Sequence, residues 1–285
     1  MRYEAPQSVD TAVALLAEAA GSAHVLAGGT DLLVRLRSGH IEPELVVDIK
    51  RIEGMRAIVE EDGGWRIGAG VPSAELGEHA GVRGAWPGVV EAAGLIGSTQ
   101  IQGRATLAGN LCNASPAADS VPAMVAAGAT ARIAGPGGTR DVAVEDIPTG
   151  PGRTSLRPGE FVASIYLPAP APRSGDAYLR FIPRTEMDIA VVGCGVALTL
   201  DEGGTCIAAR VSLGAVAAKV LLVGKAAAAL VGTAVDDTAL AALSAACSEA
   251  CSPIDDKRGT VAFRTHVAGV LAERAARIAL SRAKG

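Results

Sequence analysis

The sequence predicts an α+β protein with two structural parts. In the first part, short apolar runs alternate with helical patterns and glycine-rich turns, as at residues 24–33. A proline-rich segment at residues 168–175 then interrupts the pattern and is predicted to be a stiff linker. After it, strand patterns are followed by two long helical patterns, which is the order of elements expected in an α+β domain. At 285 residues, the chain is long enough for two domains with separate cores.

The first part is expected to begin with a helix over residues 7–20, with Asp10 as its cap and Gly21 as its end. Glycine-rich turns between apolar runs predict two hairpins further along. The predicted elements after the first helix are strands at 25–27 and 45–49, a hairpin around Asp62-Gly63-Gly64, helices at 73–80 and 86–95, a helix beginning at Ser120, a hairpin around Pro136-Gly137-Gly138, a turn at 148–152 and a strand at 161–167.

The second part is expected to contain three strands followed by two helices. The strands are predicted near 177–183, 188–200 and 205–215, and the helices near 236–250 and 259–281. The last helix carries its apolar residues on one side and its Arg and Lys residues elsewhere. That distribution is typical of a helix packed on a core rather than of a membrane helix.

An apolar strand that leads into a glycine turn and a helix carries most of the functional information. Gly28 and Gly29 predict a tight turn, and Thr30 or Asp31 predicts the helix cap. Such a turn presents several free N–H groups to one spot, which favours an anion, typically a phosphate. The third glycine of a Rossmann fingerprint and the Gly-Lys-Ser/Thr of a P-loop are both missing. By itself, this stretch is more typical of an ordinary turn before a helix.

A second stretch, residues 106–120, is small, polar and rich in turn residues. Gly109 and Asn110 are predicted to form a second turn of exposed amides. Asp119 is a candidate acceptor for a ribose or ribityl hydroxyl group. Two such loops can hold the two halves of a dinucleotide pyrophosphate, whereas a mononucleotide needs only one.

Composition argues against nucleic acid and membranes as partners. Aromatic residues make up 3% of the chain and its net charge is −4, so neither stacking platforms nor a basic surface is predicted. The sequence contains no apolar run of ~18 residues, the length that a membrane span needs. Its first residues do not resemble a signal peptide, so a cytoplasmic protein is expected.

The sequence predicts no metal site and no catalytic side chain. The five cysteines contain no Cys-x-x-Cys pair and are expected to be free thiols. Cys247 and Cys251 are spaced by one helical turn, which suits half of a metal site but is more typical of small residues packed on a helix face. None of the four histidines has a partner at metal-ligand or triad spacing. An enzyme of this composition is expected to rely on an organic cofactor.

Four segments stand in an order and at separations that are similar to those of one protein family. They are Ala27-Gly28-Gly29-Thr30-Asp31, Thr106-Leu107-Ala108-Gly109-Asn110, Thr149-Gly150-Pro151-Gly152 and Arg184-Thr185-Glu186-Met187-Asp188-Ile189-Ala190. Together they resemble the FAD-binding (medium) subunit of the molybdenum hydroxylases, the family of the xanthine dehydrogenase and carbon monoxide dehydrogenase medium subunits. The resemblance covers nearly the whole chain.

The resemblance implies that the cofactor is FAD. It also implies two α/β FAD-binding subdomains of the vanillyl-alcohol-oxidase (PCMH) type, followed by an α+β C-terminal domain of the carbon monoxide dehydrogenase flavoprotein type. The FAD-binding domain is then residues 1–172, with subdomains at about 1–55 and 56–172, and the C-terminal domain is residues 177–285. The implied cofactor-binding residues are Val25, Leu26, Ala27, Gly28, Gly29, Thr30, Asp31, Thr106, Leu107, Ala108, Gly109, Asn110, Asp119, Val162 and Arg180.

The resemblance further implies that this chain is an electron-transfer subunit. In such a complex, hydroxylation occurs at a molybdenum cofactor in a large molybdopterin subunit. Electrons pass through a small 2Fe–2S subunit to the FAD and then to NAD+ or another acceptor. The implied assembly is a dimer of heterotrimers, and the substrate of the large subunit is left open.

Two segments of the sequence depart from the family pattern, and two alternative functions are left open. Ala108 stands where the first of two glycines is common, and Gln102-Gly103 stands where an Arg-Asn pair is common. The cysteine-rich loop that carries an extra iron–sulphur cluster in some relatives is missing.

One alternative is a stand-alone flavin oxidoreductase, for which the candidate proton donors are Ser98, Cys112 and Glu186. The other is a non-catalytic scaffold subunit with a vestigial FAD site.

Overall fold

The computed structural model describes all 285 residues. The chain begins with a parallel three-stranded sheet in the order β1–β3–β2. The central strand β3 is buried along its whole length, and β2 forms an edge. The elements are β1 (Arg2–Glu4), α1 (Val9–Glu18), β2 (Ala23–Leu26), α2 (Leu32–Arg37) and β3 (Leu45–Asp48).

Helix α1 is capped by Ser8, so the expectation that Asp10 caps it was wrong. The Thr11 N–H donates to Ser8 Oγ over 3.2 Å, and Asp10 lies inside the first turn. There its carboxylate favours the helix through the dipole rather than through a capping bond. The helix ends as expected, because Ala20 and Gly21 take positive φ values of 46° and 97°.

A five-stranded antiparallel sheet follows, in the order β4–β5–β10–β6–β7. Both predicted hairpins form. Asp62 and Gly63 have φ values of 50° and 73°, as a tight hairpin turn that matches the strand twist requires. The strands are β4 (Ile58–Glu61), β5 (Gly64–Gly68), β6 (Thr130–Gly135), β7 (Gly138–Ala143) and β10 (Phe161–Leu167).

Six short helices connect β5 to β6, and several of them were not predicted. Elements of four to seven residues give too little periodicity for recognition from sequence. They are α3 (Ser73–Glu78), α4 (Ala80–Ala85), α5 (Pro87–Ala93), α6 (Thr99–Gln102), α7 (Leu107–Cys112) and α8 (Ser120–Ala126). In addition, the expected turn at 148–152 is part of a small hairpin of β8 (Pro148–Gly150) and β9 (Arg153–Thr154).

The C-terminal part is a four-stranded antiparallel sheet covered by helices, as the order of its elements predicts. The linker is shorter than expected, because Ser174 and Gly175 belong to a strand. A Cβ on Gly175 would lie 2.2 Å from the Ala279 carbonyl oxygen, so glycine lets the last helix pack against that strand. The elements are β11 (Ser174–Phe181), β12 (Val192–Leu200), β13 (Cys206–Gly214), β14 (Leu221–Leu222), α9 (Gly224–Ala228), α10 (Asp237–Ala250) and α11 (Val261–Lys284). None of the helices is both long enough and apolar enough to cross a bilayer.

Strand β11 joins the N-terminal part to the C-terminal part through buried polar side chains. Asp176 Oδ1 accepts a hydrogen bond from the Gly88 N–H of α5 over 3.1 Å. Arg282, near the end of α11, donates to the Asp176 carbonyl oxygen over 2.7 Å and also pairs with Glu91 on α5. These contacts fix α5, β11 and α11 against one another.

We expect Asp176 to make the stability of the chain depend on pH. Burial raises the pKa of its carboxyl from 3.8 to about 6. The folded chain holds this proton more tightly than the unfolded chain does. The contribution of Asp176 to the free energy of unfolding is therefore fully present below about pH 4 and is lost as the pH rises through about 6. The wild type should lose about 3 kcal/mol across this window relative to Asp176→Asn, in urea unfolding at a series of pH values. The exposed Asp237→Asn serves as the control, and parallel profiles for wild type and Asp176→Asn would contradict the assignment.

Candidate functional site

A cavity of about 310 Å³ lies between the first sheet and the second sheet. This volume is within the usual range of ligand pockets. Its walls come from the edge strand β2, the turn after it, helix α7 and the start of β10. The predicted site residues that line it are Val25, Ala27, Gly28, Gly29, Thr30, Asp31, Thr106, Ala108, Gly109, Asn110 and Val162.

The turn after β2 presents unused backbone donors to this cavity. Gly29 has a φ of +83°, which turns the chain from β2 into α2. None of the N–H groups of residues 28–31 donates a hydrogen bond within the chain. Contrary to expectation, Asp31 does not cap α2 through its side chain. The turn therefore offers a set of free N–H groups, as an anion site requires.

Gly28 allows the two glycine-containing segments to touch. A Cβ at this position would lie only 1.9 Å from the Arg104 carbonyl oxygen and 3.2 Å from the Ala105 nitrogen. Any side chain here would push apart two backbone stretches, of which Gly28 and Ala105 line the cavity. The first glycine of the pair is thus required by a close approach, and the second by its positive φ.

The second segment is a helix rather than the predicted turn of exposed amides. Thr106 is its N-cap: the Gly109 N–H donates to Thr106 Oγ1 and the Asn110 N–H to the Thr106 carbonyl, each over 2.9 Å. The Gly109 and Asn110 amides are consequently used inside α7. The N–H groups of Leu107 and Ala108 make no bond within the chain, and of these two residues Ala108 lines the cavity.

The two departures from the family pattern are accommodated. Ala108 is a helical residue without positive φ, so no glycine is needed at this point. Gln102 donates through Nε2 to the Gly94 carbonyl over 2.6 Å, and Gly103 ends α6. These observations remove the structural argument for a vestigial site.

Polar contacts hold the two segments in place around the cavity. Asn113 Nδ2 donates to Asp31 Oδ1 over 3.0 Å, which bridges the segments directly. Lys50 Nζ donates to the Ala27 carbonyl over 2.9 Å and to Asp48 Oδ1 over 2.8 Å. The positions of the free N–H groups are thus set before any ligand binds.

Four predicted site residues do not line the cavity. Leu26 and Leu107 are buried in the core. The other two, Asp119 and Arg180, instead join the two parts of the chain. Arg180 Nη1 donates to Asp119 Oδ2 over 2.7 Å, and the Tyr178 hydroxyl donates to Asp119 Oδ1 over 3.0 Å. Burial raises the pKa of Asp119 to about 6, although Arg180 opposes that shift.

The cavity also contains residues that sequence reasoning missed. His24 lines it beside Arg35, and its buried Nδ1 has no partner in the chain. Burial and the Arg35 charge both lower the pKa of His24, which favours the neutral ring. Its sequence position in β2, just before the predicted site, was the only signal. Thr154, Leu156 and Phe161 also line the cavity, and only the fold brings them there.

Cys112, a candidate proton donor, is unsuited to that role. It lines the cavity, but burial raises the pKa of its thiol to about 12. A thiol with this pKa does not release its proton readily at neutral pH. The unused backbone N–H groups at the cavity hold an anion but transfer no proton. The residues present therefore fit the diphosphate of a dinucleotide.

Comparison with known proteins agrees with this geometry. Residues 1–170 match the family described as FAD binding domain in molybdopterin dehydrogenase, and residues 177–279 match the CO dehydrogenase flavoprotein C-terminal domain. The chain is 35% identical over 282 residues to the carbon monoxide dehydrogenase medium chain of Afipia carboxidovorans, covering 99% of this chain and 97% of that one. It is 34% identical over 204 residues to the xanthine dehydrogenase FAD-binding subunit of Escherichia coli, covering 70% and 69% of the two chains.

Solved structures show the same similarity in three dimensions. The chain superposes on CO dehydrogenase from Oligotropha carboxidovorans with a TM-score of 0.95 and 34% identity, covering 99% of this chain and 98% of that one. Against quinoline 2-oxidoreductase from Pseudomonas putida, the TM-score is 0.92 at 27% identity, with 100% and 98% coverage. The predicted fold class and FAD cofactor are thereby confirmed. The chain belongs to the FAD-binding subunits of the molybdenum hydroxylase family, a family of oxidoreductases.

Proposed function

We propose that this chain transfers electrons from the 2Fe–2S clusters of a small partner subunit to NAD+ or another acceptor, through its FAD. A large molybdopterin subunit would carry out the hydroxylation, in a dimer of heterotrimers. The observation that carries the proposal is that residues with free N–H groups from both segments line one cavity. When bound there, FAD supplies the one-electron and two-electron chemistry that side chains lack.

The predicted site residues divide by role in this proposal. The N–H groups of residues 28–31 and of Ala108 would hold the two phosphates. Val25, Ala27 and Val162 would form apolar walls for the attached groups. Asp119 and Arg180 are placed at the junction with β11, from where they would bound the flavin end of the site. The division into domains at 1–172 and 177–285, and the cytoplasmic location, belong to the same proposal.

Partner subunits are supported by the relatives of this chain and by its own chemistry. The relative from Afipia carboxidovorans is a medium chain, and another, from Paenarthrobacter nicotinovorans, is a subunit of a 6-hydroxypseudooxynicotine dehydrogenase complex. In this chain, no group of three or more His, Cys, Asp or Glu side chains is arranged to hold a metal ion. Iron–sulphur and molybdenum centres would therefore come from other chains.

A flavin titration tests the site directly. We expect the purified chain to take up one FAD, with a flavin absorption band that persists through gel filtration. Competition by ADP, but not by adenosine, would show that the diphosphate is recognised. A chain that binds no FAD, alone or co-expressed with its two neighbours in the complex, would contradict the proposal. Co-purification with an iron–sulphur chain and a molybdopterin chain tests the partners separately.

A further inference from the structure

The orientation of one side chain in the cavity is set by a residue outside it. Asn110 lies on α7 and lines the cavity, whereas Ser120 is the first residue of α8 and is completely buried. The Ser120 backbone N–H donates to Asn110 Oδ1 over 3.2 Å, and the Ser120 hydroxyl donates to the same oxygen over 2.7 Å.

These two bonds fix which end of the Asn110 carboxamide faces Ser120. A backbone N–H only donates, so the atom that it contacts must be the oxygen. The Nδ2 group is then directed away from Ser120. In contrast to Oδ1, Nδ2 has no hydrogen-bond partner within the chain. A side chain that lines the cavity, as Ala108 does, thus carries two unused N–H donors.

We propose that Ser120 is a positioning residue for FAD: it fixes the rotation of the Asn110 carboxamide so that Nδ2, and not Oδ1, is presented to the pyrophosphate. The inference rests on the proposed placement of the pyrophosphate at α7. An Asn that was free to rotate would present its oxygen to a phosphate part of the time, and that contact is repulsive. Ser120 removes this state before FAD binds, which lowers the ordering cost of binding.

The first experiment compares FAD affinity in single and double variants. Ser120→Ala keeps the backbone bond but loses the hydroxyl bond, so the Kd for FAD should rise about 3- to 10-fold. In an Asn110→Ala background, Ser120→Ala should add nothing, because no carboxamide is left to orient. If Ser120→Ala raises the Kd for FAD by the same factor in the Asn110→Ala background as in the wild type, the positioning role is overturned. If Asn110→Ala itself leaves the Kd for FAD unchanged, it is the placement of the pyrophosphate at α7 that fails.

Asn110→Asp changes the group that faces the cavity while it keeps the two hydrogen bonds from Ser120. The carboxylate still accepts both Ser120 bonds, so the melting temperature of the FAD-free chain should not fall. The group that faces the cavity becomes an oxygen instead of an NH2, so FAD and ADP should both bind more weakly than they do to Asn110→Ala. Equal affinities in the two variants would contradict the proposal. For Ser120→Ala, the matched control is Ser212→Ala, because Ser212 is equally buried and its hydroxyl has no partner.

Discussion

Replacing Gly28 with alanine is expected to abolish FAD retention. The new Cβ would lie 1.9 Å from the Arg104 carbonyl oxygen, far inside van der Waals contact. Because the obstacle is backbone, no side-chain rotation relieves it, and the segments on the two sides of the cavity must separate. The turn at residues 28–31 would then be displaced from Ala108, which lines the same cavity. We expect the Kd for FAD to rise at least 100-fold, which corresponds to about 2.8 kcal/mol.

Flavin titration and thermal unfolding of the FAD-free chain measure this effect. The fold itself should lose about 1–3 kcal/mol, the usual range for overpacking. Gly77→Ala is the control, because a Cβ at Gly77 in α3 would meet no atom within 4 Å. Gly29→Ala should have an intermediate effect: its φ of +83° is strained for alanine, but its nearest neighbours are flexible leucine side chains. Normal FAD binding by Gly28→Ala would exclude the contact between the two segments.

Asp119→Ala is expected to weaken the junction between the two parts of the chain. The Arg180 side chain is only 6% exposed, and the variant removes the carboxylate that pairs with its guanidinium. The variant also leaves the buried Tyr178 hydroxyl unpaired. Breaking a buried ion pair from one side typically lowers the free energy of unfolding by about 3–5 kcal/mol. We expect a loss of this size in urea unfolding at pH 8, where the Asp119 carboxyl is ionised in the wild type.

Two further variants show whether the loss comes from the buried Asp119–Arg180 pair. Asp237→Ala removes the partner of Arg277 in an exposed pair, and such pairs contribute about 0–1 kcal/mol. Adding Arg180→Met to Asp119→Ala should restore part of the loss, because the uncompensated charge is then gone. A loss below 1 kcal/mol for Asp119→Ala would show that the pair does not hold the junction. The sequence predicts that Asp119 also contacts an FAD hydroxyl, so the Kd for FAD should be measured in the same variant.

Much of the fold was predictable because its signals are local. The hairpin at Asp62-Gly63 needs positive φ at two adjacent residues, and few sequences other than Asp-Gly meet that need. Helices α10 and α11 are long enough to show a helical period, whereas α4, α6 and α7 are not. The wrong assignment of Asp10 as a cap has a similar cause: Ser8 and Asp10 are both good caps, and only the start of the helix distinguishes them.

The sequence by itself predicted the two segments that we propose to bind FAD, because Gly-Gly before a helix and Thr-x-x-Gly-Asn are local patterns with a physical reason. Only the tertiary structure showed that the second segment is a helix whose free donors are Leu107 and Ala108. Tertiary structure also decided that Gly28 serves a contact with Arg104, that Ser120 orients Asn110, and that Asp119 pairs with Arg180. These contacts join residues up to 76 positions apart, as in Gly28 with Arg104, and no local pattern specifies which distant backbone or side chain will arrive there.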